Sequence, residues 1–227
     1  MASKGVAEKL QIGLDQLELT LSERQKTQLL DYLDLLNKWN KAFNLSGVKD
    51  SSEMLSRHLL DSLTLVPFIN GQRILDVGTG PGLPGIPLAI CFPEKRFVLL
   101  DSNGKKTRFV FQAKLQLGLD NVEVQNTRIE NFCSLEPVDI VVCRAFSSLA
   151  DLINMTRHLS VRSGGATELG AANPTKIIAM KGQYPVDELA SLPDGFKLKS
   201  AKKVDVPGSA VERHIIEIIA SELHPIG

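Results

Sequence analysis

Four short apolar runs constrain this chain more than any other feature: Ile74-Leu75-Asp76-Val77, Phe97-Val98-Leu99-Leu100, Val138 to Cys143, and Lys176-Ile177-Ile178-Ala179-Met180. A strand with one wet face alternates apolar and polar residues, whereas a strand buried on both faces does not. Segments of helical length lie between the runs: Pro84 to Cys91 with proline in its first turn, residues 104–117 ending at Gly118, and residues 147–158. A shorter strand, Val122-Glu123-Val124, follows the second of these helices. The pattern predicts a mostly parallel sheet with helices on both faces. Phe196 to Val206 and His214 to Ile219, separated by a turn at Pro207-Gly208, predict a C-terminal antiparallel hairpin. The Gly/Ala/Ser-rich stretch from Ser163-Gly164-Gly165 to Asn173-Pro174 reads as a loop.

The residues before the first strand follow a helical period. Val6, Leu10, Leu14 and Leu17 mark one face over residues 6–19, and Thr20-Leu21-Ser22-Glu23 fits a capping box. Leu29, Leu33, Leu36, Trp39 or Asn40, and Phe43 then outline a long amphipathic helix that should end near Gly47. A third helix, about residues 52–66, turns Met54, Leu55, His58, Leu59 and Leu63 inward and closes at Pro67. This divides the chain into an N-terminal helical cap, residues 1–70, and a sheet domain, residues 71–227. Glu53, Arg57 and Asp61 stand four apart on the third helix, a spacing suited to an ion-pair ladder. His58 lies on the apolar side and reads as a core histidine, and Phe146 and Trp39 are expected in packing before base stacking.

Charge limits the partners. The chain of 227 residues has 26 Lys plus Arg against 26 Asp plus Glu, and residues 1–70, 71–145 and 146–227 carry 8 and 9, 9 and 8, and 9 and 9. No third is basic, so a general nucleic-acid coat is excluded and any polyanion contact must be local. With 43% hydrophobic and 23% charged residues, a mainly disordered, coiled-coil or collagen-like chain is also excluded. Cys91, Cys133 and Cys143 form no CxxC pair and lie in apolar stretches, where a free cysteine is usually a small buried hydrophobe. No apolar run reaches the ~18 residues of a membrane span and the N-terminus has no signal-like apolar segment, so a cytoplasmic protein is expected. No His, Cys or Asp cluster has ligand spacing, so no metal is expected. A monomer is expected.

The chemistry concentrates at Asp76-Val77-Gly78-Thr79-Gly80-Pro81-Gly82-Leu83-Pro84-Gly85, between a strand and a helix. Gly80, Gly82 and Gly85 satisfy G-x-G-x-x-G, which admits a dinucleotide and an NAD-type oxidoreductase. Asp76 two residues before the first glycine favours D-x-G-x-G-x-G, the loop of S-adenosylmethionine-dependent methyltransferases. That cofactor has a cationic sulfonium and an amino-acid group where a dinucleotide has a pyrophosphate, and a nearby carboxylate suits the positive charge. Asp101, at the end of the second strand, can accept hydrogen bonds from both ribose hydroxyls. A nucleotide-binding module without catalysis is the third option.

Asn44-Leu45, Arg57-His58-Leu59-Leu60-Asp61-Ser62, the Asp76 to Gly85 loop, Leu99-Leu100-Asp101-Ser102, Arg128-Ile129-Glu130, Arg144-Ala145-Phe146 and Lys181-Gly182-Gln183 run in order along the chain. In this series the chain resembles the ribosomal RNA small subunit methyltransferase G family, also called glucose-inhibited division protein B. The resemblance implies a class I, Rossmann-like α/β fold with an N-terminal helical cap. It also implies methyl transfer from S-adenosyl-L-methionine to N7 of one guanine in bacterial 16S rRNA, free or in the small subunit. It places the cofactor against Gly78, Leu83, Ile129, Glu130 and Arg144; Asp76, Gly80 and Asp101 join them on the geometric argument above. The stretch 163–174 looks longer than the family usually carries. Guanine N7 has an in-plane lone pair, so attack on a methyl group needs no proton removed first and no catalytic base is assigned. Arg144, at the carboxyl end of a strand, is the positioning candidate, and holding the reactants in line can supply on the order of 7–11 kcal/mol. The phosphate-contact candidates are Lys105, Lys106 and Arg108 at a helix start and Lys197, Lys199, Lys202 and Lys203 on the C-terminal strands.

Overall fold

The computed structural model describes residues 4–48, 50–144, 146, 148–160 and 175–221. The stretch 163–174, read as a loop, lies outside the described residues. Seven strands form one sheet: β1 (Arg73–Val77), β2 (Arg96–Leu100), β3 (Val122–Gln125), β4 (Ile140–Arg144), β5 (Lys176–Lys181), β6 (Phe196–Val204) and β7 (Arg213–Ala220). Their order is β3-β2-β1-β4-β5-β7-β6. β1 pairs in parallel with β2 and β4, while β7 runs antiparallel to β5 and β6. The strand order reverses between β1 and β4, and the crevice above such a switch point is where open α/β sheets bind ligands.

Three helices precede the sheet. These are α1 (Lys4–Gln16), α2 (Glu23–Phe43) and α3, which runs through Ser51–Met54, a π-helical stretch Leu55–Leu60, and Asp61–Leu63. Between the strands come α4 (Gly85–Cys91), α5 (Gly104–Leu117), α6 (Leu149–Ser160) and α7 (Val186–Ala190). The α5 boundaries match the sequence expectation because both ends carry chemical stops. Asn103 accepts from the Lys105 N–H at 3.0 Å, and Gly118 takes the left-handed C-terminal position at φ +62°.

Each strand sends alternate residues to opposite faces. Ile74, Phe97, Leu99, Ile140, Val142, Ile178 and Ile215 face α4, α5 and the N-terminal helices in one core. Leu75, Val77, Val98, Val141, Ile177 and Ile216 pack on the other face with Leu149, Leu152 and Ile153 of α6. The first core is continuous from Leu10 and Leu14 through Tyr32 and Leu36 to Phe109 and Ile86, so the helical cap shares its hydrophobic interior with the sheet domain. Polar bonds reinforce that union. Gln25 donates to the Ile90 and Cys91 carbonyls at 2.9 and 3.1 Å, and Gln28 to the Leu117 carbonyl at 2.7 Å. These are C-terminal carbonyls of α4 and α5 that have no partner within their own helices.

Local expectations needed correction. The capping box sits two residues later than the sequence suggested: Ser22 caps α2 and Gln25 reaches back to the Ser22 N–H at 2.9 Å. α2 stops at Phe43, before Gly47, because Asn44 takes up a left-handed conformation there (φ 50°). The third helix ends at Leu63, and Val66–Phe68 is a separate 3-10 turn. Cys143 is buried and Cys91 half-buried, but Cys133 is exposed just after the Ile129–Asn131 turn. The short helix α7 was not foreseen.

Candidate active site

The glycine-rich loop is built around one buried carboxylate. Asp76 is fully buried at the end of β1, where its Oδ2 accepts from Thr79 Oγ1 at 2.6 Å and the Gly85 N–H at 2.8 Å. Glycine at 85 is required by this approach, since a Cβ there would lie 2.7 Å from both Asp76 Oδ2 and Leu99 Cγ. Asp76 Oδ1 is buried and makes no hydrogen bond. Burial pushes the Asp76 carboxyl up to about 6, although the bonds from Thr79 and Gly85 and the charge of Arg144 oppose that shift. A half-satisfied buried carboxylate fits a ligand that brings positive charge or N–H donors. At the loop's outer turn, the buried hydroxyl of Tyr32 donates to the Pro81 carbonyl at 2.8 Å, so α2 of the cap steadies the loop.

Asp101 follows β2 and is also buried, with Oδ2 accepting from the Gly80 N–H at 2.9 Å and Oδ1 from the Asn103 N–H at 2.8 Å. Gly78 has open space where a Cβ would project and φ +69°, a combination that leaves its backbone accessible to a ligand. Gly78, Asp101, Ser102, Arg128, Ile129 and Glu130 surround a cleft of about 240 Å³ above β1 and β2. Ser102 and Arg128 were not singled out as site residues from the sequence. Leu83 stands elsewhere: its side chain is buried in the core. Arg144 does not line this cleft but a neighbouring one.

That second cavity, about 440 Å³, opens above β4, β5 and the start of β7. Asp61, 1% exposed, lies in its wall. Asp61 accepts from Arg213 Nε at 2.7 Å and Nη2 at 3.0 Å, and from Arg144 Nη1 at 3.3 Å. The expected Glu53-Arg57-Asp61 ladder is therefore only half formed. Arg57 reaches Glu53 at 3.8 Å, while Asp61 faces the sheet and holds two arginines from distant strands. Arg144 also donates to the Arg57 carbonyl at 3.1 Å. Lys181, at the end of β5, lines the same cavity and pairs with Glu188 of α7 at 2.8 Å.

His58 is buried as expected, yet it also borders this cavity. Its Nδ1 stands 3.0 Å from the Arg57 carbonyl, which can only accept, and 3.5 Å from Arg144 Nη2, which can only donate; the shorter contact assigns the proton to Nδ1. Nε2 is then free to accept from the Ser46 hydroxyl at 2.5 Å. Burial, and then the charge of Arg144 beside the ring, lower its pKa to about 4. His58 is a neutral hydrogen-bonding strut at neutral pH. Phe146, which packs against the second core as expected, lines both cavities. Trp39 instead packs against Phe43 and Phe109, with ring centres 5.2 and 5.5 Å away.

The lysine-rich segments do not form one patch. Lys105 and Arg108 are exposed on α5, and Lys106 lies 4.0 Å from Asp101. On β6, Lys202 pairs in register with Ile215, Lys203 with His214 and Lys197 with Ile219, while Lys199 falls at a bulge. Lys202 lies 5.7 Å from the Phe68 ring centre, and Lys203, the next residue and so on the opposite face, pairs with Glu212 at 2.7 Å. Among the described residues, no helix is long and apolar enough to cross a membrane.

An open sheet ordered β3-β2-β1-β4-β5-β7-β6, with an acidic glycine loop after β1 and a second acid after β2, defines the Rossmann-like methyltransferase class. An O-methyltransferase from Bacillus cereus, solved with S-adenosylhomocysteine, shares the fold at a TM-score of 0.55 and 19% identity, over 84% of this chain and 91% of that one. The chain belongs to the rRNA small subunit methyltransferase G family, whose model matches residues 25–216. Ribosomal RNA small subunit methyltransferase G of Ectopseudomonas mendocina is 53% identical over 212 residues, 92% of this chain and 94% of the relative. Its namesake from Marinobacter nauticus is 49% identical over 215 residues, 95% of each chain. The oxidoreductase reading of the glycine loop finds no support in these relatives.

Proposed function

We propose that this chain transfers a methyl group from S-adenosyl-L-methionine to N7 of a guanine in bacterial 16S rRNA, in the cytoplasm and as a monomer. The observation that carries the reading is the pair of cavities that share Phe146, one lined by Gly78, Asp101, Ile129 and Glu130, the other by Arg57, Arg144, Lys181 and Arg213. When bound, the cofactor supplies an electrophilic methyl group on a sulfonium. Asp101 is the ribose acceptor, Ile129 gives the adenine an apolar wall, and Gly78 and Gly80 let the backbone approach the ligand. Asp76, with one oxygen already bonded to Thr79 and Gly85, supplies negative charge beneath the loop.

The second cavity takes the guanine in this reading. N7 needs no deprotonation, so the residues around it orient and exclude water. Arg144 and Arg213 have fixed directions because both are tied to Asp61, and an arginine whose fork is held in place loses little freedom on meeting a carbonyl or phosphate oxygen. The Phe146 ring, shared by the two cavities, can stack on the base. Residues 1–70 act as a cap that positions Asp61 and Tyr32 against residues 71–227.

The test is methyl transfer from radiolabelled S-adenosylmethionine to small-subunit particles from cells lacking the enzyme, with titration of S-adenosylhomocysteine and NAD alongside. Incorporation into 16S rRNA with S-adenosylhomocysteine binding is expected. Binding of NAD alone, or cofactor binding with no methyl acceptor in any RNA fraction, would overturn the proposal.

A further inference from the structure

We infer that the groove between α1, α3 and the turn joining β6 to β7 holds the RNA strand that leads into the guanine cavity, an inference that rests on the rRNA methyltransferase reading above. The groove, about 680 Å³, is larger than the guanine cavity and shares Arg57, Ser209 and Val211 with it. The two depressions therefore adjoin, and in this inference they serve as one trough from the reacting end of the sheet onto the helical cap.

Charge favours a polyanion in that trough. Across both cavities the linings contribute Lys9, Arg57, Arg144, Lys181 and Arg213 against Glu53 and Asp61, with His58 neutral. Glu188, paired with Lys181 at 2.8 Å, makes it five cations to three carboxylates, a local excess in a chain whose totals are 26 and 26. The trough draws its cations from α1, α3, β4, β5 and β7, so this basic surface exists only in the folded chain. Concave walls with like charges also focus their field toward an approaching strand.

The walls suit unpaired nucleotides. Ile12 is 52% exposed and Val211 47%, both within the groove, offering apolar surface to ribose and base faces while Lys9 and Arg57 reach phosphates. The walls are also fixed in place. A Cβ on Gly13 would lie 2.6 Å from Leu60 Cδ1, so α1 packs closely on α3 and a larger residue there would have to displace the Leu60 side chain. A Cβ on Gly208 would lie 2.7 Å from Ser56 Oγ, so the β6–β7 turn sits equally close to α3. The lysines of β6 offer no comparable path, being split between the faces and a bulge.

The test compares the double variant Lys9→Glu, Ile12→Asp with Lys114→Glu, a charge reversal near the opposite end of the sheet among Arg73, Arg96 and Phe97. Small-subunit particles from cells lacking the enzyme are the substrate, and S-adenosylhomocysteine affinity reports that each variant is folded. The groove variant should raise KM for the particle about tenfold, leave kcat and S-adenosylhomocysteine affinity within about twofold, and lower the log–log salt slope by roughly 0.7 for a lost single-strand phosphate contact. Lys114→Glu should change none of these. An unchanged KM and salt slope would overturn the groove assignment alone. A raised KM with an unchanged salt slope would also overturn it, pointing to a ribosomal protein against the apolar wall. If the wild-type chain methylates no particle RNA at all, the underlying reading fails and the groove assignment with it.

Discussion

Replacing Asp76 by asparagine should make the cofactor-free protein more stable and the cofactor complex weaker. Asp76 is buried with one oxygen unbonded, and burial pushes its carboxyl up to about 6 from the ordinary value of 3.8. A raised carboxyl pKa means that this group's stabilising contribution is fully present below the unfolded value and is lost as pH rises through about 6. At pH 8 the shift of about 2 units corresponds to at most about 3 kcal/mol of destabilisation by the charged form, at 1.36 kcal/mol per unit. Asparagine keeps an oxygen for Thr79 and Gly85 and removes the charge. For a chain of this size 1 kcal/mol moves Tm by about 2–4 °C, so Asp76→Asn should raise Tm by up to about 6–12 °C at pH 8. The gain should shrink toward zero near pH 4. His58 changes in the opposite direction, its contribution being lost as pH falls from its ordinary value of 6.5 through about 4, but it is common to both proteins and cancels in the comparison. Scanning calorimetry at pH 8 and pH 4, with S-adenosylhomocysteine titrated at pH 8, checks both halves. A variant that melts below wild type at pH 8, or binds the cofactor product as tightly, would refute the reasoning.

Other outcomes follow from the same geometry. Asp101→Ala should weaken S-adenosylhomocysteine binding by about 1–3 kcal/mol in calorimetric titration, the range for losing a charged hydrogen-bonding group. Asp61→Ala removes the carboxylate shared by Arg144 and Arg213 and should cost about 3 kcal/mol in urea unfolding, as for a buried pair broken on one side. Gly85→Ala forces a methyl against Asp76 and Leu99 and should cost about 1–3 kcal/mol, read as a lower urea midpoint. Because His58 is neutral down to about pH 4, a pH–rate profile should show no His58 titration between pH 6 and 8, and His58→Asn should leave the profile's shape unchanged.

The parts of this molecule legible in the sequence are those fixed by local chemistry. Ile74 to Val77 and Phe97 to Leu100 are apolar on both faces because helices cover both, and that lack of alternation marks them as strands of a parallel sheet. Asn103 and Gly118 bound α5 through capping that involves only near neighbours. Asp76 could be found because its partners Thr79 and Gly85 lie three and nine residues away. Asp61 could not be assigned in the same way. Its spacing to Arg57 suggested a helix-surface ladder, but its partner Arg213 is 152 residues distant and enters the site only because β7 runs antiparallel beside β5. The lysines of β6 looked like one patch in the sequence; strand alternation and a bulge divide them. The basic trough was invisible for a related reason, its cations coming from five separate elements.

The central claim is that one guanine N7 in small-subunit RNA receives the methyl group. After incubation of particles from enzyme-deficient cells with the protein and S-adenosylmethionine, borohydride reduction and aniline cleavage of the 16S rRNA report 7-methylguanosine as a chain break. The account predicts one new break, at a single guanine, that is absent when the protein is omitted. No new break, or methyl incorporation at a position that aniline does not cleave, would contradict it.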